Sequence, residues 1–333
     1  MDPIPERTLT PQQHILDAVS QTDEPIVIRG LASKWKVIQK AKISDAELTG
    51  YLRECSADVP VLAWKGPPDN KGRVFYNDDL SSMNFEQVET RLETVLDELE
   101  QVKNDPRPPT IYMGSTETGY CLPGFAEDNR LDLPGLQPTV RIWLGNSHRV
   151  AAHYDVLENI AVVAAGRRRF ILFPPEQISN LYVGPVEFTP AGQPVSMVDF
   201  EQPDFERYPR FSDALKHART TVLEPGDAIY IPSMWWHHVE GLERFNILIN
   251  HWWLPVPVYL GAPLDALYHA ILSIRELPAA QRNAWRTFFD HYIFNPDEHL
   301  VEHLPEGRRG VLDPLDHDSA RKIRMMLRNR LNK

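Results

Sequence analysis

The stretch Gly226-Asp-Ala-Ile-Tyr-Ile-Pro-Ser-Met-Trp-Trp-His-His238 reads as a turn, a short strand from Ala228 to Ile231, and histidines beyond its far end. The same grammar of short apolar runs bounded by Gly, Pro and Asn recurs at Val140 to Leu144, Asn159 to Ala165, Arg169 to Phe173 and Asn246 to Asn250. Strands of this length in series predict a sandwich or barrel. The 29 prolines point the same way, to many short elements and ordered turns.

The flanks differ. Pro25-Ile-Val-Ile-Arg-Gly30 reads as a strand, and Asn84 to Val102 as a helix in which Val88, Leu92, Val95 and Leu99 fall at helical spacing. Asp105-Pro-Arg-Pro-Pro109 reads as a connection. After Pro257, Leu264, Leu267, Tyr268 and Ile271 form one helical stripe and Trp285, Phe288, Phe289 and Tyr292 another. Such stripes serve either to pack on the β core or to pair two subunits. Ser319 to Lys333 reads as a basic, solvated helix.

Charge and composition narrow the function. With 35 basic and 46 acidic residues among 333, the net charge of −11 disfavours a phosphate backbone as partner. Two cysteines, Cys55 and Cys121, build neither a disulfide framework nor a four-thiolate zinc site, and the N-terminal residues lack an apolar signal core. A cytoplasmic protein with no membrane segment is expected.

The chemistry starts at His153-Tyr-Asp155. Side chains two apart on an extended segment face the same way, so an imidazole and a carboxylate there can share a metal ion. With 12 histidines in the chain such matches also arise by chance, and His238-Val-Glu240 is a second one. The histidines at 237 and 238 can supply a third donor from a distant strand. Two imidazoles and one carboxylate leave coordination positions open, which suits non-haem Fe(II), whereas structural zinc takes four protein ligands. Gly166-Arg-Arg-Arg-Phe-Ile-Leu-Phe-Pro-Pro175 carries three guanidinium groups into a buried-looking strand, where one is expected to answer a specific carboxylate.

Together, His153-x-Asp155, Asn159, that arginine-led strand, Leu181-Tyr-Val-Gly-Pro185 and Gly-Asp-x-x-Tyr-Ile-Pro-x-x-Trp-Trp-His-His resemble the JmjC, or cupin-8, family of Fe(II)- and 2-oxoglutarate-dependent oxygenases, in particular its asparaginyl hydroxylases. The strong likeness runs from about Tyr112 to Trp253. It implies a mainly β fold with flanking helices: a double-stranded β-helix core of the cupin or jelly-roll type over 110–257, an α/β segment over 1–109 packed on it, and a helical dimerisation region over 258–333. It implies His153, Asp155 and His237 as iron ligands, with His237 rather than His238 because the family's ligand directly follows the Trp-Trp pair. Arg168 would pair with the distal carboxylate of 2-oxoglutarate and Tyr112 would join it. Asn159 and Asn250 would lie near the metal-bound end of that co-substrate, and Trp252 would face the substrate. One departure is Val150, where those hydroxylases carry a threonine hydroxyl reaching the carboxylate; Arg168, or His148 or Arg149 nearby, would have to compensate.

The resemblance implies oxidative decarboxylation of 2-oxoglutarate by O2. A protein or peptide side chain is the expected substrate, and a small molecule is the alternative. A non-catalytic metal-binding cupin scaffold is the reading from a different class. Lysine demethylation is disfavoured, because two cysteines preclude an attached zinc reader.

Overall fold

The computed structural model describes residues 1–10, 13–190, 192–254, 256–296, 298–305 and 307–332. Its contacts separate two compact units after Leu254.

In the first unit β1 (Ile26–Ile28), β2 (Val61–Gly66) and β3 (Thr110–Glu117) precede eight core strands. These are β4 (Thr139–Gly145), β5 (His148–His153), β6 (Glu158–Ala165), β7 (Arg168–Phe173), β8 (Arg219–Leu223), β9 (Ala228–Ile231), β10 (Trp236–Gly241) and β11 (Asn246–Trp253). One sheet carries the order β9-β6-β11-β4 and the other β8-β7-β10-β5, with every core pairing antiparallel. Eight strands shared equally between two facing sheets make a jelly roll, the double-stranded β-helix the sequence led us to expect. The first sheet grows to nine strands by adding β1 and the two-residue strand Glu6–Arg7 on one side and β3, β2 and the edge strand Glu86–Thr90 on the other.

Alternation along the strands explains both the apolar runs and the site. On β6, Ile160, Val162 and Ala164 point outward, into a core shared with α1 (Lys36–Ile43), α2 (Asp45–Cys55) and α3 (Leu92–Val102). Ala161 and Val163 point inward with Phe170, Leu172, Val239 and Leu248. Both faces are covered, so β6 is an unbroken apolar run. The outer face of the second sheet is covered in turn: Ile171, Phe173 and Trp236 pack against Leu181, Val198, Phe211 and Ala214 from the connection between β7 and β8. Fully burying side chains of this size contributes roughly 1.5–3 kcal/mol each.

One sequence expectation is corrected. The helix expected from Asn84 begins only at Leu92, and Glu86–Thr90 is a strand paired with Val61–Lys65. Val88 sits one helical repeat before Leu92 by coincidence of spacing. The backbone groups along the free edge of β2 need partners, and a segment alternating with Glu and Thr suits that edge.

The second unit holds α4 (Pro263–Ser273), α5 (Ala279–Phe289), a π-helical turn at Asp290–Phe294 and α6 (His317–Leu331). A capping box between Asp316 and Ser319 starts α6. Of the two apolar stripes, Leu267, Tyr268, Trp285, Phe288 and Tyr292 are exposed, with Leu267 at 48% and Phe288 at 54%, while Leu264, Ile271 and Phe289 are half-buried. Among the described residues no helix is long and apolar enough to cross a membrane.

Candidate metal centre

The inward phase of the strands turns polar at one end of the barrel. His153 closes β5, His237 stands near the start of β10, and the two are directly paired across the sheet. Asp155 follows in the loop after β5. Its backbone carbonyl accepts the Met234 N–H at 2.8 Å, clamping that loop to the segment that leads into β10. Met234 holds a left-handed backbone with φ of 68°, a strained conformation for a residue with a side chain.

The donor atoms of His153, Asp155 and His237 all lie within 4.8 Å of one another, and His237 Nε2 stands 3.7 Å from Asp155 Oδ2. Each imidazole is oriented from behind: His153 Nδ1 lies 2.9 Å from the Ala151 carbonyl and His237 Nδ1 3.0 Å from the Trp235 carbonyl. A carbonyl can only accept, so both Nδ1 atoms carry the proton and both Nε2 lone pairs face the centre. Burial, followed by the neighbouring His153, pulls the His237 pKa down to about 4, so this ring is neutral near pH 7 and free to donate its lone pair. Two imidazoles and a carboxylate with one open side fit a divalent iron ion.

A narrow cavity opens on this centre, and the other expected site residues line it. Asn250 Nδ2 donates to Asn159 Oδ1 at 2.8 Å, and the Asn250 Oδ1 atom is left without a partner. Arg168 is 1% exposed, and its Nε and Nη2 have no hydrogen-bond partner. The phenol of Tyr112 lies against the guanidinium, and burial raises the Tyr112 pKa, keeping that phenol neutral. The flanking arginines are used elsewhere: Arg167 pairs with Glu243 and Arg169 with Glu240. Val150 forms apolar wall. Trp252 also lines the cavity, its indole N–H unpartnered.

Other candidates separate cleanly. His238 points to the opposite face, stacked on Phe200 and 3.1 Å from Glu240. Arg149 is held by Asp199 and Glu201. His148 is buried behind Tyr112, with ring centroids 4.2 Å apart, and burial together with the Arg168 charge lowers its pKa to about 3. Trp235 belongs to the barrel interior, whereas Trp236 and Trp253 pack on outer faces.

Besides the apolar wall, sequence reasoning missed the cavity tryptophans Trp64 and Trp143. Trp143 stacks on Tyr112 and its buried indole N–H has no partner. The signal was available in β4, where the outward phase of Ile142 and Leu144 leaves Trp143 facing inward.

A family model described as a cupin-like domain matches residues 12–258. The lysine-specific demethylase JMJ31 of Arabidopsis thaliana is 26% identical over 261 residues, 71% of this chain and 47% of that protein. The tRNA wybutosine-synthesizing protein 5 of Gallus gallus is 35% identical over 146 residues, 39% of this chain and 43% of that protein. HSPB1-associated protein 1 of Homo sapiens is 33% identical over 113 residues, 33% of this chain and 22% of that protein. In each case the match spans less than half the length of the relative. Fold, match and the triad at the barrel mouth agree, and the chain belongs to the cupin-like, JmjC family.

Proposed function

We propose that the chain is an Fe(II)- and 2-oxoglutarate-dependent oxygenase that hydroxylates a side chain of a protein or peptide. The observation that carries this reading is the pairing, in one cavity, of an open-sided two-histidine, one-carboxylate cluster with a buried arginine that has no counter-charge and whose Nε and Nη2 have no acceptor. A cluster alone would suit several metals. A guanidinium held without a counter-charge asks for an anionic ligand, and a dicarboxylate that reaches from metal to arginine answers it.

His153, Asp155 and His237 would hold the ion, with the Ala151 and Trp235 carbonyls fixing both rings. Bound iron would supply the activation of O2, coupled to conversion of 2-oxoglutarate into succinate and CO2, with one oxygen atom entering a substrate C–H bond. Arg168 and Tyr112 would seat the distal carboxylate. Trp143, whose indole N–H is free, would offer the donor that Val150 cannot. Asn159 and Asn250 would orient the end nearest the metal. Phe170, Val239 and Leu248 line the inner wall and would keep water from the reacting centre.

A second reading keeps this chemistry on a small molecule. It draws on the lining of the cavity, mostly apolar and aromatic side chains with a few convergent polar groups, which is the make-up of small-ligand sites. We further propose a homodimer paired through the exposed stripes of α4 and α5.

Anaerobic metal analysis followed by a succinate-release assay against peptides and metabolites tests the assignment. One Fe(II) per chain and succinate formation lost in His153→Ala and Asp155→Ala are expected. Iron binding with no 2-oxoglutarate turnover on any substrate, and no binding of 2-oxoglutarate, would leave the scaffold reading in its place.

A further inference from the structure

The inner face of β4 carries a cation beside the metal cavity. β4 pairs with β11 without a break in register: Trp143 stands opposite Leu248, Arg141 opposite Asn250 and Thr139 opposite Trp252. Directly opposed residues of an antiparallel pair share a face, and Trp143, Leu248, Asn250 and Trp252 all line the cavity. Arg141 therefore belongs to that inward face. It lies between Trp143 and the exposed Thr139, next to the asparagine that bonds Asn159.

Only one nitrogen of this half-buried side chain is committed. Arg141 Nη1 donates to the Ser115 carbonyl at 2.8 Å, with Ser115 Oγ at 3.5 Å, where β3 slips its register against β4. Nε and Nη2 make no hydrogen bond and, unlike the same two atoms of Arg168, are not sealed from solvent. Those two nitrogens form the guanidinium edge whose parallel N–H bonds match the two oxygens of a carboxylate. Among the described residues no acid answers it. Glu117, its opposite number on β3, is exposed and forms no ion pair with it, and an exposed carboxylate holds a cation only weakly. By contrast Arg149, Arg167 and Arg169 on neighbouring strands are all paired with acids.

We propose that Arg141 determines specificity by taking a carboxylate of the substrate, an aspartate or glutamate side chain near the hydroxylated residue of a peptide, on its Nε–Nη2 edge. This rests on the reading of the cavity as a peptide-oxidising oxygenase site. With 46 acidic against 35 basic residues the chain as a whole repels acidic peptides, so the fork selects those that present their carboxylate at the mouth. The co-substrate has an arginine of its own in Arg168.

A phage-displayed library of random heptapeptides, selected on the full chain loaded with Mn(II) and 2-oxoglutarate, tests this without turnover. Peptides enriched on the wild type should share an Asp or Glu at one position. Arg141→Gln should lose that acid, and Arg141→Glu should replace it by Lys or Arg. In the synthetic consensus peptide, exchanging the acid for its amide should weaken binding at least about tenfold to the wild type and no more than about twofold to Arg141→Gln. No enriched peptide, a consensus without an acid, or the same acid selected by Arg141→Gln would overturn the proposal. So would a fall in 2-oxoglutarate affinity in Arg141→Gln, because the fork would then serve the co-substrate. Each of these leaves the oxygenase reading standing, whereas a wild-type chain that binds neither Mn(II) nor 2-oxoglutarate would overturn both.

Discussion

Replacing Arg168 by methionine should move two quantities in opposite directions. The guanidinium is 1% exposed, two of its nitrogens have no acceptor, and its polar neighbour Tyr112 is a dipole rather than a counter-charge. A buried charge without a pair is costly in the ligand-free protein, and exchanging buried ionic groups for apolar ones of similar size commonly gains about 1–4 kcal/mol. Metal-free Arg168→Met should therefore unfold at higher urea concentration than the wild type, with an unchanged m-value. Its affinity for 2-oxoglutarate should fall. Hydrogen bonds to charged groups are worth about 1.5–3 kcal/mol each, so losing a two-pronged contact of about 3 kcal/mol costs on the order of a hundredfold. Calorimetric titration of 2-oxoglutarate into Mn(II)-loaded protein reads this without turnover. A variant that is less stable and binds 2-oxoglutarate unchanged would refute the reasoning, because Arg168 would then be serving the fold.

Further outcomes follow from the same geometry. Trp143→Phe keeps the stack on Tyr112 but removes the free indole N–H, so 2-oxoglutarate binding should weaken by roughly 2- to 10-fold, for a hydrogen bond of about 0.5–1.5 kcal/mol, with metal affinity unchanged; Val150→Thr should recover a similar factor. Burial lowers the pKa of His251 to about 4, below the unfolded value of 6.5, so the unfolded chain takes up the proton first. The stability of the metal-free protein should then fall as pH drops from about 6.5 towards 4. His251→Phe should flatten that slope, by on the order of 3 kcal/mol over the interval, in urea titrations at stepped pH. In sedimentation, Phe288→Asp with Tyr292→Lys should leave a dimer monomeric, and an unchanged sedimentation coefficient would count against pairing through the helices.

Legibility in the sequence followed the physics of each signal. The core strands were readable because turn residues bound them and β6 is apolar on both faces. His153 and Asp155 were readable because period-two alternation is local. Bringing His237 to them depends on the pairing of β5 with β10, which spacing does not encode and which came from the resemblance. The edge strand Glu86–Thr90 was misread because a half-exposed strand beside a helix leaves too few apolar positions to separate a period of 2 from one of 3.6. Trp143 was missed because an aromatic in a barrel strand looks like packing until its N–H is found without a partner.

The claim beneath all of this is that three side chains grip one ferrous ion and leave half its coordination sphere open. X-ray absorption at the iron edge on anaerobically loaded protein, before and after adding 2-oxoglutarate, tests it directly. The account predicts two imidazole nitrogens and one carboxylate from the protein, with the remaining oxygen donors exchanged when 2-oxoglutarate is added. A fourth protein donor, or a spectrum unmoved by 2-oxoglutarate, would contradict it.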